Sequence, residues 1–138
     1  MFGQYKHTID AKGRLIVPSK LREELGDLFY VTVSPDGCLV IYTKEEWQKV
    51  LDQCNGVRLT QSGGIRFLLA KAWQCEPDKQ GRFLLPEYLR EYAGIKEDVI
   101  FLGLGARGEL WANDRYEAQE EAFMTPDALR AALNELGF

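Results

Sequence analysis

One nine-residue phrase is written twice in this chain of 138 residues, as DAKGRLIVP at 10–18 and as DKQGRFLLP at 78–86. A shift of 68 places Asp10 on Asp78, Gly13 on Gly81, Arg14 on Arg82 and Pro18 on Pro86. The match continues with Leu21-Arg22 on Leu89-Arg90 and Gly26 on Gly94. It then loosens but keeps its order, FYVTV (29–33) answering VIFLGL (99–104) and Trp47 answering Tyr116. Chance rarely preserves order over such a length, so the chain reads as one supersecondary unit built twice.

The chemistry inside a unit is local. YKHTID alternates apolar and polar side chains as a half-buried strand does. In D-x-x-G-R the Asp can accept backbone amides ahead of it and the Gly tolerates positive φ, so the step is a turn between two strands. Ser19 can cap a short helix that ends near Gly26. FYVTV and CLVIY are strands separated by SPDG. Thr43 caps KEEWQKVLDQC, whose Trp47, Val50, Leu51 and Cys54 share one helical face. Each half therefore reads β-turn-β, short helix, β-turn-β, longer helix. NGVRLTQSGG (55–64) is a linker, IRFLLAKAW (65–73) a helix leading into the second unit, and Thr125-Pro126-Asp127 starts a last helix with Leu129, Leu133 and Leu136 on one side. A unit of about 45 residues buries little surface alone, so the two pair most simply as a pseudo-dimer closing a small β-barrel. The expected divisions are 1–54, a first repeat with its helix; 55–74, linker and connecting helix; 75–124, the second repeat; and 125–138, the C-terminal helix.

Composition removes several functions. No run approaches the roughly 18 apolar residues of a membrane span, and MFGQYKHTID lacks an apolar signal region, so a cytoplasmic protein is expected. Cys38, Cys54 and Cys75 are widely spaced, and His7 is the single histidine, so neither a zinc set nor a cysteine nucleophile is supported. Net charge is −4 but uneven. Residues 1–22 hold five basic side chains against the lone acid Asp10, a net of +4, whereas 76–138 hold 7 basic and 13 acidic, a net of −6. Local field governs phosphate attraction within a Debye length of about 10 Å, so a basic face on an acidic body is compatible with DNA.

Gly103-Leu104-Gly105-Ala106-Arg107-Gly108 satisfies G-x-G-x-x-G, yet it runs into strand-like ELWAN and occupies the place of a hairpin turn. A dinucleotide site would need a helix there. No catalytic set, metal set or cofactor motif emerges, and no enzyme is expected. The repeated D-x-x-G-R turn has two readings. As a hairpin lock, Asp10 and Gly13, with Asp78 and Gly81, shape the turn. As a reader, the forked Arg contacts phosphate or a guanine edge, with Lys6, His7 and Lys12 gathered near the first turn by strand pairing. An exposed ion pair contributes only about 0–1 kcal/mol, so the lock explains the Arg less well. The residues alone leave lock and reader level.

MFGQYKHTIDAKGRLIVPSKLREEL closely resembles the N-terminus of the MraZ family, and DKQGRFLLPEYLREYAGI its second half, over Met1 to about residue 120. The resemblance implies an α+β fold of two tandem ββαβ-type swapped-hairpin units, related to AbrB-type domains, forming a pseudo-dimeric double-split β-barrel with flanking helices. It implies a bacterial transcription regulator, chiefly a repressor, that binds as a ring-shaped homo-oligomer. The DNA it implies is double-stranded promoter sequence with direct repeats upstream of the cell-division and cell-wall gene cluster, and the location is the nucleoid. Carried onto this sequence, Arg14 is the first candidate for DNA contact, and Arg82 holds the matching place. Lys6, His7 and Lys12 support the first turn by position and charge, and Lys79 adds a cation to the second. The acidic second half puts Arg14 ahead of Arg82. The alternative is an AbrB-superfamily antitoxin acting mainly through a protein partner, against which the two units and ordered-looking tail speak.

Overall fold

The computed structural model describes residues 1–58 and 62–138; part of the expected linker, 59–61, lies outside the described residues. In the first half, strands β1 (Phe2–Thr8) and β2 (Arg14–Ile16) precede α1 (Arg22–Leu25), β3 (Phe29–Val33), β4 (Leu39–Thr43) and α2 (Lys44–Cys54). Helix α3 (Gly63–Ala70) leads to β5 (Trp73–Cys75), β6 (Arg82–Leu84), α4 (Glu87–Ala93), β7 (Asp98–Leu104), β8 (Arg107–Ala112) and α5 (Asn113–Phe123). Helix α6 (Pro126–Glu135) ends the chain. The second half repeats the order of the first, as the duplicated phrase requires.

The two copies do not close separately. A six-stranded antiparallel sheet runs in the order β1-β7-β8-β4-β3-β5. The first strand of each copy therefore lies in the other copy's half: β1 pairs with β7 in the register Tyr5↔Phe101, and β5 pairs with β3 in the register Tyr30↔Gln74. The second strands pair with each other as a separate ribbon, Leu15 opposite Phe83. The fold is α+β, a pseudo-dimeric double-split barrel made of two swapped hairpins.

The ribbon packs over the sheet by the period-2 rule of strands. Leu15 and Phe83 point inward and are almost fully buried, while Ile16 and Leu84 face out. Phe83 lies edge-on between Phe29 and Phe101, with ring centroids 5.1 Å and 6.2 Å away. Leu15, Val17, Leu21, Leu25, Leu85, Leu89 and Val99 complete one core that neither copy could build alone.

Several local expectations hold. Thr43 Oγ1 accepts the Glu46 amide at 3.2 Å at the start of α2, and Trp47 buries against Tyr30 in a stacked pair. Gly103, Gly105 and Gly108 belong to the β7–β8 hairpin, with β8 and not a helix after the loop. A Cβ on Gly103 would meet the Phe2 amide nitrogen at 2.7 Å, and one on Gly108 the Leu102 carbonyl at 2.5 Å. Those glycines let backbones approach. Cys38 and Cys75 are buried, and burial pushes the Cys38 thiol up to about 12 and raises that of Cys75.

Three expectations need correction. Ser19 does not cap: Pro18 precedes a 3-10 turn over Ser19–Leu21, closed by Leu21 N–H donating to the Pro18 carbonyl at 2.9 Å, and α1 follows directly. The connecting helix starts at Gly63 and stops at Ala70, because Trp73–Cys75 repeats Tyr5–His7 and is taken by β3 as a strand. The arms of each D-x-x-G-R turn do not pair as a hairpin. Ile9 N–H continues to the Glu97 carbonyl and Val17 N–H to the Gly81 carbonyl, so both arms leave for the other copy.

No helix among the described residues is long and apolar enough to cross a membrane.

Candidate nucleic-acid interface

The first turn is closed by its Asp. Asp10 Oδ1 accepts the amides of Lys12 (2.9 Å) and Arg14 (2.8 Å), and Asp10 Oδ2 accepts Arg14 Nε at 2.8 Å. Asp78 makes the same three bonds to Gln80, Arg82 and Arg82 Nε, each at 2.9 Å. Gly13 and Gly81 both adopt φ of +81°, a conformation that favours glycine. The carboxylates are held below their usual range, in each case chiefly by the amide of the Arg, whose side chain adds to the effect. Asp, Gly and Arg therefore act as a turn lock in both copies.

The lock uses only part of each arginine. Arg14 and Arg82 donate through Nε, and among the described residues neither guanidinium makes another hydrogen bond. Both side chains are 40% exposed. Each Arg therefore keeps its outer Nη edge, the edge that can fork onto a phosphate or guanine. The Asp fixes the arm and aims that edge, so lock and reader are compatible roles of one side chain.

The register of the ribbon brings the two arginines together. Arg14 lies opposite Leu84 and Ile16 opposite Arg82, and all four share the outer face. Diagonal neighbours of this kind are roughly 7–8 Å apart. A strip of two forked cations and two apolar side chains results, on an antiparallel ribbon of a width the major groove of DNA admits.

Two arginines that sequence reasoning did not assign hold this strip in place. Arg22 Nε donates to the Val17 carbonyl at 3.1 Å, and Arg90 Nε to the Leu85 carbonyl at 2.9 Å. Each guanidinium lies across the other copy's turn glycine: a Cβ on Gly81 would meet Arg22 at 2.8 Å, and one on Gly13 would meet Arg90 at 3.0 Å. The signal was present, since Arg22 and Arg90 coincide under the 68-residue shift, but only the folded strands bring each to its glycine.

The supporting candidates divide. Lys12 and Lys79 are exposed on the turns. Lys6 lies on β1 with Nζ 3.8 Å from Asp98 Oδ2, an ion pair with the second copy's β7. His7 packs edge-on to Phe101, and burial, followed by the charge of Arg22, lowers its pKa. β1 joins β7 rather than β2, so strand pairing does not carry Lys6 and His7 along β2 as expected; Lys12 alone of the three lies within the first turn.

Paired swapped hairpins closing a pseudo-dimeric barrel around duplicated Asp-x-x-Gly-Arg turns define the AbrB-like class of proteins. The chain matches the family described as "MraZ protein, putative antitoxin-like" over residues 1–62 and 68–135. Relatives named Transcriptional regulator MraZ include one from Caldanaerobacter subterraneus subsp. tengcongensis, 47% identical over 85% of this chain and 84% of its own length. Another, from Lachnoclostridium phytofermentans, is 42% identical over 98% of this chain and 96% of its own length. The chain belongs to the MraZ family, whose named function is transcriptional regulation and not enzymatic catalysis.

Proposed function

We propose that this protein is a sequence-specific DNA-binding regulator, acting as a repressor, that places the β2–β6 ribbon in the major groove of short direct repeats upstream of the cell-division and cell-wall genes. The observation that carries this reading is the matched pair of Asp-anchored arginines on one exposed ribbon face, whose Nη edges make no hydrogen bond among the described residues. Arg14 is the principal reader and Arg82 the weaker one, because the second copy lies in the acidic part of the chain. Lys12 and Lys79 add phosphate attraction, and Lys6 and His7 contribute less. Several copies joined in a ring-shaped homo-oligomer reach successive repeats, so modest contacts per copy add through effective concentration. The protein then resides in the cytoplasm, on the nucleoid. Its two repeats are the units 1–54 and 75–124, joined by 55–74 and followed by 125–138.

The test is a gel-shift titration on the DNA upstream of the protein's own gene. Arg14→Ala removes one exposed Nε bond but leaves the Arg14 backbone amide on Asp10, so the fold survives. A lost forked base contact is worth about 1–3 kcal/mol, or roughly 5- to 150-fold in affinity per copy. Arg82→Ala weakens binding less, and log affinity falls linearly with log salt. If Arg14→Ala shifts the duplex like wild type, while circular dichroism shows both folded, the reader role is wrong.

A further inference from the structure

Helix α6 is well started, and among the described residues its leucine face is left exposed. Thr125 Oγ1 accepts the Ala128 amide at 3.2 Å and Pro126 occupies the first turn. Yet every residue from Leu129 onward is exposed, with Leu129 at 47%, Leu133 at 52% and Leu136 at 72%. Among the described residues no hydrogen bond joins 126–138 to anything before Thr125. A helix of 10 residues is marginal in water, and its stability comes from covering an apolar face.

The same chain carries a matching groove. A cleft of about 500 Å³ is lined by Val33, Phe67, Lys71, Tyr88, Glu91 and Tyr92, between α3, α4 and the end of β3. Phe67 is 55% exposed. The walls are tied down: Tyr88 Oη donates to the Lys71 carbonyl at 3.0 Å, and Tyr92 Oη to the Ser34 carbonyl at 2.5 Å. Lys71 Nζ lies 5.2 Å from the centre of the Tyr88 ring. The groove is therefore preformed, and filling it costs little reorganisation.

Leu129, Leu133 and Leu136 fall at i, i+4 and i+7, the anchor spacing of a helix lying in an apolar groove. The groove lining carries one cation, Lys71, and one acid, Glu91, and α6 carries Asp127 and Glu135 with Arg130 between them, so the fit rests on the apolar side chains and not on opposite net charge. Only Met124 and Thr125 separate α6 from α5. We propose that α6 of one copy docks by its leucine face into the Phe67–Tyr88–Tyr92 groove of the next copy. This contact rests on the homo-oligomer reading above and names the surfaces that would make it. It is heterologous, groove to helix, so each copy offers one of each and the series can continue from copy to copy.

The test uses the full chain and reads mass by sedimentation, with circular dichroism as the folding control. Wild type is expected to run above monomer mass. The double variant Leu129→Glu/Leu133→Glu on the helix, and separately Phe67→Glu on the groove, are each expected to drop to smaller species with the barrel intact. If both keep the wild-type mass, this interface is wrong while the oligomer reading stands. If wild type is itself a monomer, the oligomer reading fails and the interface with it. A second arm, in a Cys54→Ser background, mixes Phe67→Cys copies with Leu133→Cys copies and oxidises them. A crosslink between the two kinds of copy supports the contact. Crosslinks only between Leu133→Cys copies, or a bridge within one chain carrying both substitutions, would overturn it.

Discussion

Gly81 does two jobs, and the difference between them separates what is local from what is not. Its φ of +81° belongs to the turn and follows from D-x-x-G-R. The Arg22 guanidinium, 2.8 Å from where a Cβ would stand, belongs to the other copy. Gly81→Ala therefore strains the backbone and displaces Arg22 from the Val17 carbonyl. We expect a loss of about 1–3 kcal/mol, read as a lower urea midpoint with unchanged slope. The roles of Asp10, Gly13 and Arg14 were legible because each acts within four residues of itself. The double use of Arg14, with Nε in the lock and its outer edge free, was not legible, since sequence reasoning set lock against reader. Arg22 and Arg90 were missed because on a short exposed helix an Arg reads as surface, and only the crossing of strands puts a carbonyl and a glycine under it.

At the scale of elements, the strands, turns and α2 were readable from period and punctuation, and the partner of β1 was not. The seam between β1 and β7 holds His7 against Phe101, with a pKa lowered first by burial and then by Arg22. The folded state therefore takes up the imidazole proton at lower pH than the unfolded chain, which protonates it near pH 6.5. As pH falls through that value the unfolded state binds more protons, and stability declines. The urea midpoint should drop between pH 8 and pH 5.5 in wild type, and His7→Gln should flatten that change. Asp10 and Asp78, whose pKa values are also lowered, act in the opposite part of the scale. Their contribution is complete above about pH 4 and is lost only below it, so they do not confuse the reading. An unaltered pH response in His7→Gln would exclude the histidine as its source. The α3 boundaries were misplaced for a related reason: Trp73 looks like the end of an apolar helix until β3 claims it as a strand.

At the scale of the molecule, the exchange of first strands makes the halves interdependent. β1 finds its ladder in β7, and Leu15 and Phe83 share one core across the ribbon. Residues 1–58 expressed alone are therefore expected to be unfolded at low concentration, or to fold as a dimer in which a second copy supplies the missing strands. Circular dichroism and sedimentation decide this; a folded monomer of 1–58 would mean that the exchange is dispensable. The sequence by itself determined that the unit occurs twice, where its turns and strands fall, and that a basic first copy precedes an acidic second. Those properties rest on dihedral preference, side-chain period and charge, all of which act over a few residues. Only the tertiary structure decided that β1 and β5 change places, that Arg14 and Arg82 share one ribbon face, and that Arg22 and Arg90 brace the opposite turns. Two nearly equal copies offer every strand two nearly equal partners, and no local preference separates them. The choice is made by which pairing buries Leu15, Phe83, Phe29 and Phe101 in a single core.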